Sequence, residues 1–311
     1  MKKALLPLAI ALLCTAPAQA DTTLFGRIGV ATVYTDPDNG DANWDVRNDD
    51  SYVGVEGSES LAGDLKAIYH LEFSVDTGDT ANLSGKETYV GLQGGFGKLR
   101  VGRLKDPYEE IIDSAGQMNI TGTPWALKPG RLGNQLRYDI APLAGDLVLS
   151  AATILDGASG EDSLDRWSLG ALYQTPSIRA GITYLNNEFA DSDQWGVDFA
   201  YNWGMFAVGA SYEQGDVVLT NFATGNQALA EDVRAYGLAG VLRLGSNILV
   251  AHGGRREADD DGFNLTAYAL GAEHRFSKRT KIYAEFEHTD FEDDSKSPDQ
   301  NVLALGMRHD F

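Results

Sequence analysis

Cysteine is all but missing from these 311 residues: the only one, Cys14, lies within the first twenty. A chain that sheds that segment has no disulfide to staple it, so its cohesion must come from elsewhere. Positive charge is also scarce, with 25 Lys and Arg against 45 Asp and Glu and a formal charge of −20. Such a field repels nucleic acid and excludes DNA and RNA as partners. The third absence is an apolar run of about twenty residues beyond the N-terminus, which excludes a transmembrane helix in the mature chain. Mean hydropathy is −0.24, a value that suits a secreted soluble protein and a membrane barrel equally well.

What is present at the start is a secretory signal. Lys2 and Lys3 form its positive end, Ala4 to Leu13 its apolar run, and Ala18-Gln19-Ala20 its small-residue cleavage site. Leu13 stands where a lipoprotein signal needs a small residue before Cys14. Residues 1–20 hold two bases and no acid, so cleavage takes the charge from −20 to −22. The remainder, 21–311, reads as one domain.

Periodicity decides between the two classes that composition leaves open. In Gln194 to Trp203, Trp195, Val197, Phe199, Tyr201 and Trp203 share one face, opposite Gln194, Gly196, Asp198, Ala200 and Asn202. Phe206, Val208, Ala210 and Tyr212 then oppose Ala207, Gly209, Ser211 and Glu213. Alternation of this kind makes two-faced strands, and only Gly204 and Met205 separate the pair. The same pattern recurs from Leu24 to Tyr34, Leu65 to Phe73, Arg166 to Gln174, Tyr268 to Phe276 and Leu303 to Phe311. Short connections (Ala141–Gly145, Gln174–Ser177, Trp203–Met205, Leu244–Ser246, Phe276–Arg279) take turns with longer acid-rich ones (Asp36–Asp49, Asp156–Asp165, Gly215–Asp232, Glu257–Gly262, Phe291–Asp299). The expectation is an all-β, antiparallel, up-and-down transmembrane barrel of about 16 strands, roughly 18 residues per strand and connection. Aromatics such as Trp167, Tyr173, Trp203, Tyr212, Phe276 and Phe311 fall near strand ends on the apolar face, where rings anchor at a membrane boundary. A soluble sandwich would turn its polar face outward, whereas here the polar face is rich in glycine and charge, like a wet lumen.

One stretch breaks the rhythm. After Arg103 about 25 residues follow without alternation, acids first (Asp106, Glu109, Glu110, Asp113) and bases last (Lys128, Arg131). A loop that long among hairpins is functional or disordered. Its Ile111, Ile112, Met118, Ile120, Trp125 and Leu127 argue for order. Residues 104–131 are expected to fold back against the barrel, with Arg103 packing the loop's base.

Several segments resemble the general porins of Gram-negative outer membranes, the sixteen-stranded trimeric kind. They are SYVGVEGSESLAGDLKAIYHLE (51–72), ETYVGLQGGFGKLRVGR (87–103), NQLRYD (134–139), YALGAEHRFSKRTKIYAEFE (268–287) and the ending LALGMRHDF. The resemblance implies a homotrimeric diffusion channel in the outer membrane, bordered by lipid and lipopolysaccharide. It also implies a third long loop that narrows the lumen, and a terminal Phe311 read by the barrel-insertion machinery. Such porins commonly carry Arg where this chain has Tyr52. Lys86 and Arg131 stand where two other wall bases would fall.

A sixteen-stranded lumen conducts water, so discrimination needs a narrowing. The expected constriction sets Asp106, Glu109, Glu110 and Asp113 of the loop against Arg27, Lys66, Lys86, Arg100, Arg131 and Arg137 of the wall. Facing rows of charge act strongly on an ion in a low-dielectric throat. The alternative for these charges is to pair with one another and pin the loop. The acidic total leans towards cation preference. No cofactor is expected; Asp36-Pro37-Asp38-Asn39-Gly40-Asp41 and Asp259-Asp260-Asp261-Gly262 could hold Ca²⁺ or other divalent ions, although neither matches a twelve-residue calcium loop. An enzyme is not expected: the five His lack metal-ligand spacing, none lies near the long loop, and adjacent Glu109 and Glu110 seldom converge on one atom. A substrate-selective channel, a barrel-embedded hydrolase and a closed structural or adhesive barrel remain the alternative readings.

Overall fold

The computed structural model describes residues 20–311 except 79–81, 117, 143–145, 156–165, 188–190, 221–226, 259–263 and 293–297. The expected signal segment up to residue 19, the connection Asp156–Asp165, the carboxylate cluster Asp259–Gly262 and parts of the connections Ala141–Gly145, Gly215–Asp232 and Phe291–Asp299 lie outside the described residues. Among the described residues there are seventeen strands: β1 Ala20–Pro37, β2 Asn43–Asn48, β3 Tyr52–Ala62, β4 Leu65–Val75, β5 Leu83–Gly94, β6 Gly97–Lys105, β7 Arg131–Ile140, β8 Leu147–Ile154 and β9 Arg166–Gln174. They continue as β10 Ile178–Asn187, β11 Ser192–Asn202, β12 Phe206–Thr220, β13 Gln227–Leu244, β14 Asn247–Glu257, β15 Leu265–Arg275, β16 Thr280–Phe291 and β17 Gln300–Asp310. A single five-residue helix, α1 Pro107–Ile111, interrupts them among the described residues.

Apart from β2 and β3, which lie end to end against β1, each strand pairs antiparallel with its sequence neighbour, and β1 pairs with β17 from Arg27↔Asp310 to Pro37↔Gln300, so the sheet closes. One rung more completes the seam: Phe311 N–H donates to Gly26 O at 2.9 Å and Gly26 N–H to Phe311 O at 3.1 Å. Closure joins the first and last strands, so the ring itself has no open edge, the condition for a sheet to stand in hydrocarbon.

Two departures from the sequence expectation are instructive. The stretch Asp36–Asp49 is not wholly loop, because β2 pairs with Val30 to Thr35 of β1 while β3 pairs with Ala20 to Arg27. Together β2 and β3 make one stave broken at 49–51, which gives sixteen positions around the ring. The Ser51 hydroxyl donates to Gly29 O, and Gly29 N–H donates to Ser51 Oγ, both at 2.9 Å, restoring the ladder across the break. Gly215–Asp232 is likewise mostly strand: β12 continues to Thr220 and β13 begins at Gln227, with a bulge between Gly215 and Val217. A bulge shifts the side-chain phase, so the extension does not continue the alternation before it.

The outer face carries the apolar phase, with Leu24 64%, Leu238 64% and Leu270 59% exposed. Rings crowd its two ends. Trp167–Tyr184, Trp195–Tyr212 and Tyr212–Tyr236 lie 5.2–5.3 Å apart near the long-loop rim, and Tyr201–Trp203 lies 4.4 Å apart at the short-turn rim. The buried apolar residues are inside the barrel instead. Tyr108, Ile111, Ile112 and Leu185 form one cluster; Trp125 and Leu127 join Leu219, Val233, Ala235, Leu265, Ala267 and Phe291 in another. Each large side chain so buried contributes roughly 2 kcal/mol, and it is the loop between β6 and β7 that supplies the inner partners.

Deleting Phe311 removes the last rung and the ring that covers Gly26. The truncated chain should lose on the order of 1–3 kcal/mol for the two hydrogen bonds. Its detergent-solubilised barrel should therefore unfold at a lower temperature in a heat-modifiability gel; an unchanged midpoint would mean the seam does not depend on this residue.

Candidate functional site

The loop 106–130 enters at the long-loop rim and runs along the inner wall. It starts as a helix because Asp106 caps it: Oδ1 accepts the Tyr108 N–H at 2.8 Å, Pro107 occupies the first turn, and Glu109 and Glu110 suit the positive helix end. From the last residue of α1 onward the loop crosses seven consecutive strands, each of which offers a glycine. Ile111 lies over Gly170 and Gly181, Ile112 over Gly196, Ser114 over Gly209, Ala115 over Gly237, Trp125 over Gly254 and Met118 over Gly271. A Cβ at any of these positions would collide with the loop.

Wall carboxylates hold the loop by its backbone. Asp198 on β11 accepts the Ser114 N–H at 2.9 Å and its hydroxyl at 2.5 Å. Glu213 on β12 accepts the Tyr108 hydroxyl and the Leu127 N–H, both at 3.1 Å. Glu285 on β16 accepts three successive N–H groups, Asn119 at 2.7 Å, Ile120 at 2.9 Å and Thr121 at 3.1 Å. Donors reach the carbonyls: Arg179 donates to Glu110 O and Ile111 O at 2.6 Å, Arg256 to Pro124 O at 3.1 Å, and Gln194 to Leu127 O at 3.0 Å. Arg179 also pairs with Asp198. The alternation places Asp198 and Glu213 on the inner face, but nothing local in the sequence says that they, Glu285 and Arg179 meet the loop.

The expected constriction residues separate into groups. Asp106 is 1% exposed and also accepts the Ser168 hydroxyl at 2.8 Å, so it anchors the loop and does not line the passage. Burial pushes its carboxyl above the usual range despite these donors. Glu109 accepts the Gly130 N–H at 3.3 Å, and Asp113 pairs with Lys128 at 3.4 Å, each joining the two halves of the loop. Glu110 pairs with the buried Arg137 at 2.5 Å. On the wall Arg27 pairs with Asp310 at 2.7 Å and Asp50 at 3.3 Å, and Lys86 with Glu72 at 2.8 Å and Asp50 at 2.9 Å. Arg100 pairs with Asp139 at 2.5 Å, and Arg131 with Glu87 at 3.6 Å. Lys66 is exposed beside the turn between β3 and β4, at the short-turn rim and away from the loop's entry. Arg103 is exposed as well; after a bulge in the β6–β7 pairing the base of the loop is filled by fully buried Leu104. Tyr52 lies under Lys86, whose Nζ is 4.0 Å from the ring centre. Among the described residues no His, Cys, Asp and Glu group is arranged to hold a metal ion, which leaves Asp36, Asp38 and Asp41 without a shared site.

A closed barrel with an apolar outer face and a loop folded along its inner wall matches a family model described as Gram-negative porin over residues 7–294. The chain belongs to the Gram-negative porins. It is 28% identical over 313 residues to the major outer membrane protein P.IB of Neisseria meningitidis serogroup B, covering 90% of this chain and 91% of that protein. Among solved structures, the anion-selective porin from Comamonas acidovorans superposes with a TM-score of 0.78 at 20% identity, over 94% of this chain and all of that one. The trimer form of OmpT from Vibrio cholerae superposes with a TM-score of 0.70 at 15% identity, over 94% and 99%. This porin is therefore an outer-membrane channel for diffusion.

Two substitutions and one control test the docking of the loop. Gly254→Val should displace Trp125 and change single-channel conductance, while Gly240→Val, whose Cβ meets nothing within 4 Å, should not. Glu285→Ala strips the acceptor from three loop N–H groups, each costing roughly 1–3 kcal/mol if left buried and unpaired. Added protease should then cleave 116–128 faster than in the parent; equal cleavage would mean that Glu285 does not hold the loop.

Proposed function

We propose that the loop 106–130 is the throttle of this diffusion channel, and that residues 1–20 are a cleaved export signal ahead of a single barrel domain, 21–311. The observation that carries the reading is the loop's attachment to the inner wall from β9 to β16, which supports a passage between the loop and the opposite wall of β1 to β7. Glu109, Glu110 and Asp113 then border the passage from the loop, and Arg27, Lys86, Arg100 and Arg131 from the wall. Each of these four bases carries a carboxylate within 3.6 Å. The throat thus alternates in sign and presents no free basic cluster, which supports a weak preference for cations. The charges sort solutes by their field, and no covalent chemistry is involved.

Assembly as a homotrimer in contact with lipid and lipopolysaccharide, and recognition of Phe311 during insertion, complete the reading. The trimer form of the Vibrio cholerae protein of the same fold supports the first of these.

The test is the reversal potential of purified protein in a planar bilayer across a KCl gradient near 0.1 M, where charges beyond about 10 Å are screened. The parent should favour K⁺ modestly. Asp113→Asn, at the most exposed of the loop carboxylates that form ion pairs, should move the potential towards Cl⁻. A parent that favours Cl⁻, or an unmoved potential in the variant, would sink the assignment of the throat.

A further inference from the structure

On the short-turn side of α1 the lumen wall is hollowed into a recess of about 610 Å³. That volume is within the range of small-molecule sites. Its floor is apolar, built from Pro107 and Ile111 of the loop with Val148 on β8 and Leu172 on β9. Its charged side comes from β6 and β7, where most of the charge is already committed. Asp139 accepts from Arg100 at 2.5 Å, from Arg137 at 2.8 Å and from the Ser150 hydroxyl at 2.6 Å, and the Glu110 carboxylate is taken by Arg137.

Two positive donors are left over. Lys98 lines the recess, half-buried, and makes no ion pair among the described residues. The Arg100 Nε, buried, has no acceptor. At the mouth stands Asp146, exposed at the start of β8. A carboxylate is the group that satisfies an ammonium and a guanidinium N–H together. An apolar body would cover Ile111 and Leu172, and a second carboxylate would meet Asp146.

We propose that this recess binds small monocarboxylates with an apolar body, of about the size of hexanoate, as they leave the throat. The site rests on the channel reading given above and adds to it a solute class that the channel retards. Its affinity is local: Lys98 and Arg100 act at contact distance, whereas the weak cation preference belongs to the whole throat.

The experiment is single-channel recording of the purified porin with hexanoate on both sides at constant ionic strength. Hexanoate should interrupt the current in brief closures whose frequency rises with concentration, and succinate should not. Lys98→Gln should shorten the closures roughly tenfold, the worth of one charge-assisted hydrogen bond. Leu172→Ser should shorten them as well, each variant being read against its own open current. Lys278→Gln, in the exposed turn between β15 and β16, should leave the closures as in the parent. Conducting channels that hexanoate never interrupts, equal effects of hexanoate and succinate, or closures unaltered by Lys98→Gln would overturn the site while the channel stands. A silent bilayer at good incorporation would instead overturn the channel reading.

Discussion

Closure of the hydrogen-bond ladder is the constraint on which everything else depends. In hydrocarbon an unpaired N–H or C=O has no water to turn to, so the sheet must end where it begins. The β1–β17 seam does this, and the rung between Gly26 and Phe311 carries it to the last residue. Once the ring is closed, each strand has one face for lipid and one for water, which explains why Leu238 and Leu270 lie outside while Ala239 and Ala269 are buried inside.

Closure also creates the need for the loop. A ring of sixteen staves encloses more space than side chains can fill. Residues 106–130 fill part of it, bringing Tyr108, Ile111, Ile112, Trp125 and Leu127 onto the apolar patches that the wall offers inside the barrel. The attachment inverts the simplest electrostatic picture. Besides the loop acid Glu110 on the wall base Arg137, wall acids Asp198, Glu213 and Glu285 receive the loop's own N–H groups. Held both by its backbone and by these buried side chains, the loop leaves Glu110 and Asp113 exposed at its water-filled side.

The alternation of apolar and polar residues made most of this legible. The hairpin from Gln194 to Tyr212 was readable residue by residue, and so were the short turns among the described residues and the out-of-phase loop. Legibility failed where the backbone slips phase or where partners are far apart in the chain. The bulge after Gly215 hid the ends of β12 and β13, and the break at 49–51 made β2 look like loop. The assignment of Asp106 to the passage failed for another reason. A carboxylate just before Pro107 satisfies helix N–H groups at no distance in sequence, and that local role outweighed the lumen. Arg103 and Lys66 depended on height and bulging along a strand, which alternation does not encode.

The sequence alone determined the class, because a two-residue period with lipid on one side and water on the other admits only a closed sheet in a membrane. It also marked the one segment that does not obey the period. Only the tertiary structure decided which charges are spent on one another and which remain free. Pairs such as Lys86 with Glu72 and Asp50, or Arg308 with Asp49, join residues brought together by neighbouring strands and by the seam. Coulomb energy falls with distance through space and is indifferent to distance along the chain, so the field inside the barrel exists only after the ring has closed.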